Sequence, residues 1–257
     1  MKRNEIFLLL FIFINGNAIS QSTIYKIWVS PNHQILNISK KKTVFSESWN
    51  YSTSCNDSLL TLTHHYWKAG KFFRQQENLT FKITKLTNDS LILKPLNESA
   101  QRLFFGRPLH NDASMIFLDK SLFYNSTISL QKIYYHTSFP LSFRSMKIEI
   151  DSFGNVFYLD INHLDDTSML YKGQLSKVQF NQLVELLYTS DIEHLTISEF
   201  MSIDTGYKEI KIHYNSKIKH QKGYQIADFY SPLFRYLNSI CKKIPLERTF
   251  EDYEFGQ

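Results

Sequence analysis

The feature that most constrains this chain is a period-two alternation of apolar and polar side chains recurring from residue 24 to about residue 105. Leu60, Leu62 and His64 alternate with Thr61, Thr63 and His65, and Phe81 and Ile83 alternate with Lys82 and Thr84. Successive side chains of a strand point to opposite faces, so each such segment puts one face on a core and the other in water. Turn-prone clusters at 30–32, 54–58 and 87–90 separate the segments at hairpin spacing. An antiparallel meander of this kind must hide its edges, and closing into a barrel does so. Trp28, Leu60, Leu62, Phe81, Ile83, Leu91 and Leu93 are the expected inward face.

Beyond residue 106 the pattern changes. Gly106, Pro108, Asn111 and Asp112 interrupt it, with strands expected near 115–118 and 130–135 in a bridging stretch. In "KIEIDSFGNVFYLDINHL" (147–164), Asp151, Asn155 and Asp160 surround a glycine, which raises the question of a calcium loop. An EF-hand loop needs glycine at its sixth place and a closing glutamate at its twelfth. Counted from Asp151, those places hold Val156 and Asn162, so the stretch reads as a hairpin turning at Gly154-Asn155. Ser176 followed by Gln179 forms a capping box ahead of Phe180, Leu183, Val184 and Leu187, an apolar stripe at helical spacing. A second hairpin turns at Asn215-Ser216, and a last helix opens at Ser231-Pro232 and presents Leu233, Tyr236, Leu237 and Ile240.

The N-terminus has the layout of a secretory signal peptide: Lys2 and Arg3, an apolar run at 6–14, then Ala18-Ile19-Ser20 before Gln21. The run is about half what a membrane-spanning helix needs. An exported chain, periplasmic or extracellular and without stable membrane insertion after cleavage, is expected. Seven Asn-x-Ser/Thr sequons occur in a composition rich in Lys, Asn, Ile, Phe and Tyr, as in an AT-rich bacterial reading frame where such triplets arise by chance. Lys and Arg exceed Asp and Glu by five, but the basic residues are dispersed, so no nucleic-acid partner is expected.

Reactive chemistry finds few footholds. Cys55 and Cys241 lie far apart without Cys-x-x-Cys spacing, which argues against a cysteine zinc site. His64 and His65 are adjacent on a strand and point to opposite faces, so they do not grip one ion. Asp165-Asp166 fits a solvated turn. "SLQK" (129–132) matches Ser-x-x-Lys but opens a strand, whereas that chemistry wants the pair one helical turn apart. Eight glycines never cluster into a phosphate loop. No catalytic residue, metal or cofactor is assigned.

"IYKIWVSPN" (24–32), with its early Trp28, and "FKITKLTNDSLILKP" (81–95) resemble the opening and a late hairpin of small lipocalin-like barrels in secreted bacterial proteins. The usual glycine two positions before the tryptophan is Lys26 here. The resemblance implies an open barrel whose inward residues, Trp28, Leu60, Leu62, Phe81, Ile83, Leu91 and Leu93, either line a cup for a small apolar ligand or fill the barrel themselves. From about residue 139 to 246, the order hairpin, helix, hairpin, helix, with Gly154-Asn155 and "SPLFRYLNSI" (231–240), resembles a domain family of unknown function in secreted bacterial proteins. Its members usually carry a cysteine pair and a Cys-Pro-x-Tyr stretch, whereas "TSFPLSFRSM" (137–146) has neither cysteine.

The expected organisation is a signal peptide (1–20), a lipocalin-like antiparallel β-barrel (21–106), a bridging segment (107–138), an α+β unit (139–247) and a tail (248–257). The expected function is non-enzymatic binding of a small apolar ligand or an envelope component. The alternatives are a structural or adaptor protein without a pocket, and a hydrolase with an unrecognised site.

Overall fold

The structure, a computed structural model, describes residues 23–46, 49–56, 58–67, 75–106, 113–139, 142–201 and 205–256. The leader at 1–20 and the interruption at 107–112 lie outside them. The chain divides into two compact units, with the break between Leu122 and Phe123.

In the first unit eight antiparallel strands close into a barrel: β1 (Ile27–Val29), β2 (Ile35–Ile38), β3 (Lys42–Phe45), β4 (Trp49–Asn56), β5 (Leu59–Tyr66), β6 (Gln75–Leu86), β7 (Ser90–Pro95) and β8 (Met115–Asp119). Each strand pairs with its sequence neighbour, and β1 meets β8 with Trp28 opposite Asp119. At that seam Lys26, the residue standing where the resembled family has glycine, reaches Asp119 Oδ2 at 2.6 Å and donates to the Asn88 carbonyl at 2.7 Å. Burial pushes the Asp119 carboxyl up, but Lys26 and the Ser121 amide outweigh it and hold the group below the usual carboxylate range.

Two expectations need correction. Residues up to 105 do not all form strands: α1 (Glu98–Phe105) follows β7. Asn97 Oδ1 accepts from the Ala100 amide at 3.0 Å, and Gly106, at φ +70°, closes the C-terminus. After Pro95 the alternation stops, and Ala100 and Phe104, four apart, become one buried face. Nor does the barrel end at residue 106. β8, from the stretch read as a bridge, is the strand that closes it, because without β8 both β1 and β7 would keep an open edge.

The second unit is built on a seven-stranded sheet: β9 (Leu130–Phe139), β10 (Arg144–Asp151), β11 (Asn155–Asn162), β12 (Thr167–Gln174), β14 (Lys208–Tyr214), β15 (Lys217–Gly223) and β17 (Leu246–Arg248), in the order β15-β14-β9-β10-β11-β12-β17. A two-stranded ribbon pairs β13 (Ile197–Ser198) with β16 (Gln225–Ile226). α2 (Lys177–Tyr188) begins at the capping box of Ser176 and Gln179, and α3 (Ser231–Ile240) has Pro232 in its first turn. Thus β9, read as part of the bridge, is central to this sheet, and Leu246 to Arg248, at the edge of the tail, form its last strand.

The stretch around Gly154 is a hairpin. Asp151 Oδ1 accepts from the amides of Phe153 and Asn155, both at 2.9 Å, and Asp151 Oδ2 accepts from Asn155 Nδ2 at 2.6 Å. Both carboxylate oxygens therefore serve the turn. Gly154 sits at φ +80°, a conformation that costs a side-chain-bearing residue energy. Asn215 and Ser216, both at positive φ, turn the second hairpin in the sense that suits twisted strands.

The register divides the sheet into two chemically different faces. Ile210, Tyr135, Ile148 and Tyr158 form one row across β14, β9, β10 and β11. α3 packs on that face: the Phe234 ring lies 5.5 Å from Tyr135, whose hydroxyl donates to Asn238 Oδ1 at 3.0 Å. The opposite face carries the row Lys211, Tyr134, Glu149, Phe157 and Lys172. Along this row runs the segment 249–256. Tyr253 stacks on Phe157 at 3.8 Å, its hydroxyl donates to Glu149 Oε1 at 2.6 Å, and the Gly256 amide donates to Glu149 Oε2 at 2.9 Å.

Candidate functional site

The seven residues expected to face the barrel interior belong to its hydrophobic core or pack against it. Trp28, Leu60, Leu62, Phe81, Leu91 and Leu93 are fully buried in one cluster, with Ile83 packed against it beside the β6 bulge. Phe104 of α1 enters the same cluster, its ring centroid 4.7 Å from Phe81 and 5.5 Å from both Phe45 and Phe117. Ala100 lies against the cluster one turn earlier on α1. Trp28 Nε1 donates to the Ile24 carbonyl at 2.8 Å, so the one polar atom of that side chain is satisfied internally. Sequence reading missed Phe45, Phe104 and Phe117. The signal for Phe104 was Asn97 as a cap and Gly106 as a stop around a short stretch without alternation.

Towards the far end of β4, β5 and β6 the inward positions become polar. The register places His64 opposite Glu77, and the His64 ring lies 5.5 Å from the rings of both Tyr51 and Tyr66. Glu77 accepts from the Ser99 hydroxyl at 2.5 Å. Burial, aided by Glu77, pushes the Tyr51 hydroxyl up to about 12, so it stays protonated and neutral. His65, the neighbour of His64, points outward into a shallow surface recess with Lys41, Lys42 and Thr63. The two imidazoles are therefore on opposite sides of the barrel wall.

In the second unit the other motifs have structural partners. Lys132, the lysine of "SLQK", lies 3.4 Å from Glu149, and the Ser129 amide donates to Asn215 Oδ1 at 2.7 Å. Asp165 accepts from Asn162 Nδ2 at 2.6 Å, and Asp166 holds positive φ in the turn. On the face along which the segment 249–256 runs, Glu209 accepts from His220 at 2.8 Å and from the Tyr207 hydroxyl at 3.4 Å, with His136 Nδ1 at 3.9 Å. Burial, with help from Lys147, pulls His136 below the usual histidine range despite Glu209. No group of three or more His, Cys, Asp or Glu side chains able to hold a metal ion is found among the described residues.

Two clefts open on this unit. One, of about 460 Å³, lies beside β17 and is lined by Asn155, Phe157, Lys172, Gln174, Pro245 and Glu247 among others. Gly173 belongs there because a Cβ would meet the Pro245 carbonyl oxygen at 2.8 Å. The other, of about 470 Å³, lies where α3 ends against the sheet. Met146, Phe139 and Cys241 supply its apolar surface, and Arg144, Tyr158, Asp160, Asn238 and Lys242 its polar groups. Burial pushes the thiol of Cys241 and the hydroxyl of Tyr158 each up to about 12, so both stay neutral. Nothing in the sequence pointed to this cleft, because its residues come from β9, β10, β11 and the end of α3.

No family model and no curated protein matches this chain. Among the described residues no helix is long and apolar enough to cross a membrane.

Proposed function

We propose that this is an exported, non-enzymatic binding protein in which the lipocalin-like barrel is a scaffold, and in which the second, α+β unit carries the recognition surfaces. One observation carries the reading: the Phe104 ring is inserted among Phe45, Phe81 and Phe117, where a barrel ligand would have to sit. A container keeps its interior open, whereas this interior is occupied by the protein's own aromatic side chains. The signal-peptide layout of the leader supports export, and the engagement of Lys132, Asp165 and Glu77 in structural contacts supports a non-catalytic role. The partner is then a small molecule or an envelope component held outside the barrel.

Native mass spectrometry of the full chain purified from its own source tests this. The expected result is that Phe104→Trp, which overfills the interior, leaves the bound mass unchanged, whether that mass is nothing or a ligand held elsewhere. A co-purified apolar molecule that Phe104→Trp expels, while circular dichroism shows the fold intact, would overturn the scaffold reading.

A further inference from the structure

We propose that the cleft at the end of α3 binds a small amphipathic carboxylate, with its apolar body on Met146 and Phe139 and its carboxylate between Tyr158, Asn238 and Lys242. This rests on the binding-protein reading but not on the state of the barrel. The cleft's volume of about 470 Å³ lies within the range of small-molecule sites. Three of its polar groups, Tyr158, Asn238 and Lys242, are donors with capacity to spare, while the Ser142 hydroxyl already donates to the Phe139 carbonyl at 3.2 Å. The Tyr158 side chain makes a ring contact with Tyr171, but no hydrogen bond to its hydroxyl is found among the described residues. Asn238 uses Oδ1 to accept from Tyr135, which turns its amide nitrogen into the free end. Lys242 is exposed, and no partner for its Nζ is found among the described residues.

Charge decides the ligand's sign. The single carboxylate in the cleft, Asp160, is already held by Arg144, which leaves Lys242 as the uncompensated charge. A helix C-terminus carries partial negative charge that disfavours an anion. Here the last turn is partly satisfied: the Ser239 carbonyl accepts from the Lys242 amide at 3.1 Å and the Ile240 carbonyl from the Lys243 amide at 2.9 Å. The sulfur of Cys241, uncharged because burial raises its pKa, extends the apolar floor without adding a second negative group. A neutral alcohol of the same length would keep the apolar contacts but leave the lysine without its counter-ion. A cation would meet Arg144 and Lys242.

The test is calorimetric titration of the full chain with decanoate, 1-decanol and decylammonium. Decanoate is expected to bind with one-to-one stoichiometry, with decanol and decylammonium each weaker by about tenfold or more. Lys242→Glu, an exposed change that should leave the fold intact, is expected to weaken decanoate by about tenfold and to improve decylammonium. Equal affinity for decanoate and decanol, an unchanged affinity in Lys242→Glu, or no heat at about 1 mM decanoate would each overturn the proposal. Such a failure leaves the scaffold reading standing, since that is judged by the response to Phe104→Trp.

Discussion

The two units solve the same problem, a sheet with an apolar face, in opposite ways. In the barrel the sheet curls onto itself, so Leu60, Leu62, Phe81 and Leu93 meet one another across the interior, and one short helix supplies the last ring. In the second unit the sheet stays open, so its apolar face needs separate helices and its other face needs the strap from Thr249 to Gly256. A closed sheet turns its apolar side chains onto one another, while an open one leaves clefts where a covering element stops. Both clefts of more than 400 Å³ described above lie on the open sheet, one beside β17 and one at the end of α3.

The sharpest way to break this contrast is to empty the barrel. Phe104→Ala removes a ring buried among three others and should cost about 3–4 kcal/mol of barrel stability, seen as faster hydrogen exchange in β5 and β6 with β9 to β12 unchanged. The variant should also gain binding of a small apolar dye, which the parent barrel should not show. Opening the seam comes next. Lys26→Ala strips Asp119, whose side chain is 13 % exposed, of its cation, and about 2 kcal/mol of destabilisation is expected in urea unfolding.

On the open sheet the strap should matter less per contact. Tyr253→Phe keeps the stack on Phe157 but removes one donor to Glu149, which retains the Gly256 amide and Lys132, so a loss of about 1 kcal/mol is expected. The smallest effect, and the one that separates the units by pH, comes from histidines. Burial lowers His136 and His213 on the strapped face, so the unfolded chain binds more protons. Stability of the second unit should therefore fall as pH drops below about 6.5 towards their folded values. Asp119 is lowered too, but a carboxylate's contribution is intact above its unfolded pKa and is lost only on further acidification. Hydrogen exchange at pH 7 and pH 5 should show the second unit loosening first; simultaneous loosening of the barrel would contradict the assignment.

Much of the local structure was legible from single segments. The alternation in β5 and β6, the capping box at Ser176, the reversal at Gly154 and the proline start of α3 are each written in neighbouring residues, and local sterics and hydrogen bonding carry them through. α1 was missed because its eight residues are too few for a helical period to stand out against the strands before it. β8 was assigned to a bridge because its partners, β1 and β7, are set by closure of the whole barrel.

By itself the sequence determined the inward residues of β5, β6 and β7, several of the turns and where two of the helices begin, since these depend on side-chain period, capping and backbone φ within a few residues. Only the tertiary structure decided that Phe104 enters the barrel core, that Glu149 is held by the C-terminal strap, and that Tyr158, Asn238 and Lys242 share one cleft. Those outcomes depend on volume and charge balanced among side chains far apart in the chain, and no local pattern encodes such a balance.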